Sequence, residues 1–186
     1  MAIIPEHPAL TVFVCAQCAR PGQVPTSSGR SKPVVPDFNW PAPAQQIIVP
    51  CTGRLQPEHV LKAFEAGSSI VSAVACREDN CHHVEGSRRC AHRVDFIRSL
   101  LDEIGLGGER LFLFHLPGSA SQDLALAART PLPEADGESL EAQIVAIRTE
   151  VMEALRTCPS NPLRSGGTAC ALSPKPPNPA RGNAHE

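Results

Sequence analysis

Four short runs of apolar, largely β-branched residues recur along the chain, and each is followed by turn residues or by a stretch with helical spacing. The first is Leu10 to Val14, which ends directly at Cys15; the second is Ile47 to Val49, just before Cys51. The third, Ile70 to Ala75, ends at Cys76, and the fourth, Leu111 to Leu116, is closed by Pro117 and Gly118. Continuous apolar runs of this length read as buried strands rather than helices.

Between them lie segments with a 3.6-residue period. Pro57 to Ala66 reads as a helix, with Pro57 suited to its first turn and Gly67 to its stop. A polar loop through Cys81 and His82 leads into a second helix lasting to about Ile104, where Val94, Ile97, Leu101 and Ile104 share one face and Gly105 ends it. A third spans about Ser139 to Leu155, with Leu140, Ile144, Ile147 and Val151 in register. The stretch from Cys18 to Gln46 is crowded with proline, which removes backbone donors and restricts the preceding residue, so it reads as a long irregular connection. The tail beyond Cys158 is rich in Pro, Gly and Ser and reads as disordered.

Apolar strands alternating with amphipathic helices define an α/β fold: a small open parallel sheet of about four strands with covering helices, plus the proline-rich loop and a disordered C-terminal tail. Residues 1–158 form the domain and 159–186 the tail. In such sheets ligands bind beyond the carboxyl ends of the strands. Cys15, Cys51 and Cys76 each stand at or just after a strand end, and the adjoining loops add Cys18 and Cys81. Parallel pairing would bring five thiols to one edge.

Composition narrows what those thiols do. At 186 residues and 42% hydrophobic, the chain has material for one core without covalent staples. The formal net charge of -2, from 17 basic and 19 acidic residues, leaves no electrostatic footprint for nucleic acid. Residues 1–14 lack a basic start and include Glu6 and two prolines, so they do not read as a signal peptide, and no stretch approaches the length of a membrane span. A soluble cytoplasmic protein with reduced thiols is expected, and there clustered cysteines point to metal or redox chemistry.

Cys15-Ala16-Gln17-Cys18 is a C-x2-C pair, and Cys76 with Cys81 is a C-x4-C pair. Four thiolates assembled from such pairs are a common way of holding a 2Fe-2S cluster. Two alternatives stay open on spacing alone: a zinc-stabilised interaction module, with His82 and His83 beside Cys81, and a dithiol redox protein using Cys15 and Cys18. The dithiol reading leaves Cys51, Cys76 and Cys81 idle. Both histidines read as surface residues, and Cys90, Cys158 and Cys170 as incidental small hydrophobes. Arg88, Arg89, Arg93 and Arg98 read as a solvated helix face, or as a docking surface for an acidic partner. No nucleophile-base pairing or phosphate loop accompanies Glu78, Asp79 and Glu85.

Four blocks, Phe13 to Cys18 (FVCAQC), Pro50 to Gly67 (PCTGRLQPEHVLKAFEAG), Ala75 to Gly86 (AC-x4-CHHVEG) and Arg93 to Leu111 (RVDFIRSLLDEIGLGGERL), together resemble the iron-sulfur delta-subunit family of the methyl-viologen-reducing, or F420-non-reducing, nickel-iron hydrogenase. The resemblance covers about residues 10 to 120. It implies a 2Fe-2S electron-transfer subunit. Electrons would pass between a hydrogenase, or a donor such as formate dehydrogenase, and a flavin-containing heterodisulfide-reductase subunit. It also implies a ligand set drawn from Cys15, Cys18, Cys51, Cys76 and Cys81, one thiol more than a single cluster needs. Thr52 stands where the family usually has serine, His83 where it has tyrosine, and the proline-rich segment replaces a compact helix-forming stretch.

Overall fold

The computed structural model describes residues 9–18, 38–40, 43–118, 139–158 and 160–163. Strand β1 runs Leu10–Cys15 and β2 Ala44–Val49; helix α1 follows at Pro57–Glu65, then β3 at Ile70–Cys76. Helix α2 is Gly86–Glu103, β4 is Leu111–Leu116 and α3 is Leu140–Thr157. The four strands form one sheet in the order β2-β1-β3-β4, and every pairing is parallel. The expected α/β architecture is therefore present. Most of the proline-rich connection, most of the tail, and Cys170 lie outside the described residues.

Strand alternation sorts the core into two layers. Leu10, Val12 and Val14 of β1, with Ile70 and Val74 of β3 and Phe112, Phe114 and Leu116 of β4, pack against Ile147, Val151 and Ala154 of α3. The intervening positions, Phe13, Val71, Ala73, Ala75 and Leu111, face the other way onto Val60 and Phe64 of α1 and Val94, Ile97 and Leu101 of α2. Helices thus cover both faces, as buried parallel strands require. No described helix is long and apolar enough to cross a membrane.

Local chemistry supports the helix starts. The Ser139 hydroxyl accepts from the Ala142 amide, satisfying one free donor at the start of α3, and His59 Nδ1 accepts from the Gln56 amide ahead of α1. At the amino ends of β3 and β4, the fully buried Arg110 guanidinium donates to the carbonyls of Ser69, Leu106 and Ser160. Asn161 donates from the same region to the carbonyls of Phe64 and Ser68. These bonds hold residues 160–163 against the domain.

One expectation is corrected. Ile47 to Val49 reads in sequence as a buried strand, yet β2 is the edge strand: Ile48 is 43% exposed, and Ile47 and Val49 are half-buried. A three-residue apolar run carries no information on whether its strand lies inside a sheet or on its edge. The strand also begins earlier, at Ala44, inside the segment expected to be irregular. Just upstream, Phe38 is buried and stacks on Trp40 with ring centroids 4.9 Å apart.

Candidate metal centre

The sheet order fixes where a site can form. From β1 the chain moves to one side to make β2, then returns across β1 to make β3 on its other side. The connections leave β1 and β3 in opposite directions, so a crevice opens beyond their carboxyl ends. The last residues of these two strands are Cys15 and Cys76.

Their Sγ atoms are 3.6 Å apart. A turn closed by the Cys18 amide on the Cys15 carbonyl brings Cys18 back over the strand end, and its Sγ also lies 3.6 Å from that of Cys76. An antiparallel bridge between Cys18 and Gly118, just past β4, holds the turn in place. The three sulfurs lie within 4.8 Å of one another, and all three residues are buried.

Cys51 and Cys81 arrive from the following loops and are also buried. Cys51 precedes a 3-10 turn, Thr52–Arg54, and its sulfur accepts from the Gly53 amide at 3.4 Å. Both thiols converge on Gly86, the first residue of α2. A Cβ at Gly86 would lie 2.4 Å from Cys51 Sγ and 3.3 Å from Cys81 Sγ, while a Cβ at Gly53 would meet the Gly86 carbonyl oxygen at 2.6 Å. Two glycines in contact are what let the Cys51 turn lie against the start of α2. The predicted thiols therefore form a group of three with a pair beside it.

Crowding sets the protonation of this cluster. Cys15 is pushed far below the usual thiol range, chiefly by hydrogen bonding with Cys18 and Cys76, with help from the amides of Gln17 and Thr52 and against the effect of burial. Cys18 is pushed up by its bonds to Cys15 and Cys76 and by burial, and Cys76 is raised by Cys15 above all. Cys51 is raised by burial, against the Gly53 amide. Crowding therefore favours negative charge on Cys15 and opposes it on Cys18, Cys51 and Cys76. A bound cation is what allows several such sulfurs to be anionic together.

The spacing suits that role. A tetrahedral ion with metal-sulfur bonds of about 2.3 Å needs sulfurs about 3.8 Å apart, close to the two 3.6 Å separations here. His82 and His83, exposed and packed edge to face on each other, stay out of the group. Cys90 is buried in α2, where burial pushes its thiol up to about 12. The four arginines do not share one role. Arg88 and Arg89 are exposed and pair with Glu85, Arg93 donates to the carbonyls of Gly53 and Leu55, and Arg98 bonds the Leu111 carbonyl and Asp95.

Two residues next to the cluster escaped the sequence reading. The Ser87 hydroxyl donates to the Cys76 carbonyl, and His115 Nδ1 lies 2.9 Å from the same oxygen. Ser87 carries no motif. His115 could have been found by the rule that located the thiols, since it is next to last in β4.

Comparison with known proteins finds the chain similar in sequence to iron-sulfur hydrogenase subunits. A family model described as methyl-viologen-reducing hydrogenase, delta subunit, matches residues 10–130. The iron-sulfur subunit of the vhu F420-non-reducing hydrogenase of Methanococcus maripaludis is 31% identical over 113 residues, 61% of this chain and 79% of the relative. The protein of the same name from Methanopyrus kandleri is 28% identical over 66% of this chain and 87% of its own length. One subunit of the ferredoxin:CoB-CoM heterodisulfide reductase of Methanosarcina mazei is 30% identical over 57% of this chain, but only 12% of that much longer protein takes part.

Proposed function

The chain belongs to the delta-subunit family of methyl-viologen-reducing hydrogenases, and from that premise we propose that it is an electron-transfer subunit carrying a 2Fe-2S cluster. It relays electrons from a hydrogenase or formate dehydrogenase to a heterodisulfide-reductase-type flavoprotein. The observation that supports this best is the convergence of Cys15, Cys18 and Cys76 within 4.8 Å at the crevice beyond β1 and β3, with Cys51 and Cys81 meeting at Gly86 beside them.

Two irons need two pairs of thiolates. Cys51 and Cys81 supply one pair, and two of Cys15, Cys18 and Cys76 the other. When bound, such a cluster takes up and gives up one electron at a time. The chain's own part is ligation, burial and orientation. Amides of Gln17 and Gly53 point at Cys15 and Cys51 sulfurs, at 3.5 Å and 3.4 Å, and favour their anionic forms. Ser87 and His115 hold the Cys76 carbonyl, so the sulfur beyond the strand end has a defined direction. Free thiols of this kind persist in a reducing compartment, and the cytoplasm is the setting assigned.

Anaerobic purification followed by iron, acid-labile sulfide and visible absorption measurements tests the assignment. Equimolar iron and sulfide, at two of each per chain, is the expected result. A colourless, zinc-loaded protein would overturn it in favour of an interaction module, a reading for which the three-thiol group is geometrically adequate.

A further inference from the structure

Beside α1, over the face of edge strand β2, runs a groove of about 850 Å³. Its floor is apolar, formed by Phe13, Ile47, Val49 and Leu55, and its rim carries Arg54, Lys62, Arg89 and Arg93. No carboxylate lines it among the described residues. A smaller depression of about 390 Å³ shares Gly53, Arg54 and Arg89 with the groove and has Cys51 in its wall. The groove therefore leads to the Cys51 end of the thiol group.

Two of the four cations are committed in part. Arg93 serves the Gly53 and Leu55 carbonyls, and Arg89 pairs with Glu85. Arg54 and Lys62 form no ion pair with any described residue. A positive, partly apolar trough is the complement of a segment that carries carboxylates among apolar side chains. The charges are also spread out. Lys62 stands five residues into α1 from Pro57, about 7.5 Å along the helix axis, while Arg54 precedes the helix. A single phosphate would need donors converging on one point; carboxylates at intervals along a peptide would not.

We propose that this groove docks an acidic, partly apolar peptide segment of the redox partner, bringing that partner's electron carrier to the Cys51 end of the cluster. This rests on the relay function assigned above. Long-range attraction between the rim and the partner's carboxylates would speed association at low ionic strength.

Lysine content makes the test direct. The chain has three lysines, Lys32, Lys62 and Lys175, and Lys62 alone falls among the described residues. A water-soluble carbodiimide, which couples lysine to carboxylates in contact with it, is applied to the intact native complex containing the heterodisulfide-reductase-type flavoprotein. The expected product joins Lys62 to an Asp or Glu of the flavoprotein. In parallel, a Lys62→Glu, Arg89→Glu variant of the cluster-loaded chain should keep wild-type iron and sulfide but exchange electrons with the flavoprotein at least tenfold more slowly at low salt. Its rate should also lose the salt dependence of the wild type.

No Lys62 cross-link together with a wild-type rate in the variant would overturn the docking site and leave the relay standing. Loss of the cross-link on adding millimolar ADP or FMN, with binding of that nucleotide to the free chain, would overturn it in favour of a small-anion site. Wild-type chain without iron and sulfide would overturn the relay itself, and the docking proposal with it.

Discussion

The Sγ atoms of Cys15 and Cys76 are 3.6 Å apart although 61 positions separate them in sequence. Only the parallel pairing of β1 with β3 brings them together. Single Cys→Ala changes at 15, 18, 51, 76 and 81 should therefore fall into two sets. Ligands lose most of their iron and visible absorption, and the spare thiol keeps both. Cys90→Ala, one turn into α2, should keep full iron content. Metal analysis per chain separates these outcomes, and full iron in all five variants would remove the proposed centre.

Gly86→Ala should damage the centre with every thiol still present. Its methyl group would lie 2.4 Å from Cys51 Sγ, and overpacking of this kind costs about 1–3 kcal/mol. The expected result is lower iron occupancy with retained helical circular dichroism. An unaffected cluster would show that Cys51 has freedom to move away.

Ser87→Ala leaves the Cys76 carbonyl to His115 alone, and Ser87→Ala with His115→Phe leaves it with neither partner. Loss of buried hydrogen bonding at one carbonyl costs about 1–3 kcal/mol. Chemical denaturation should register that loss, and electron paramagnetic resonance of the reduced protein should shift because the Cys76 backbone reorients. An identical spectrum would reduce both residues to a structural role.

Arg110→Ala acts at the opposite edge of the sheet. Three carbonyls lose their donor there, those of Ser69, Leu106 and Ser160, so a loss of about 3 kcal/mol or more is expected in a denaturant titration. Arg110→Lys should fall between, because an ammonium cannot reproduce the planar fork. The cluster's absorption should not change in either variant, since the amino edge is remote from the thiols.

Cys90 predicts a pH effect. Its thiol is pushed from 9.0 up to about 12 by burial. The folded chain keeps this proton after the unfolded chain has lost it, so the contribution is full below pH 9 and is lost as pH rises toward 12. Between those values the slope from this one group approaches about 1.4 kcal/mol per pH unit. Comparing wild type with Cys90→Ala by denaturation at pH 8, 9 and 10 should show a steeper decline in the wild type. Equal slopes would mean that the thiol ionises in place.

Much of this protein is legible in one dimension. Apolar run length and helical period locate β1, β3, β4 and the three described helices within a residue or two at most ends, because burial on one face or both writes directly into the order of side chains. The rule that ligands gather beyond the carboxyl ends of parallel strands is likewise enough to place Cys15 and Cys76 at one edge. Strand order, however, depends on which way each connection crosses, and nothing in Ile47 to Val49 says that β2 is an edge strand with an open groove beside it. Contacts between distant residues were decided by tertiary structure alone: the approach of Gly53 to Gly86, the hold of Ser87 and His115 on Cys76, and the reach of Arg110 to Ser160. Each depends on the angle at which one element packs on another. That angle is set by the summed packing of both core layers, and no local pattern in the chain records it.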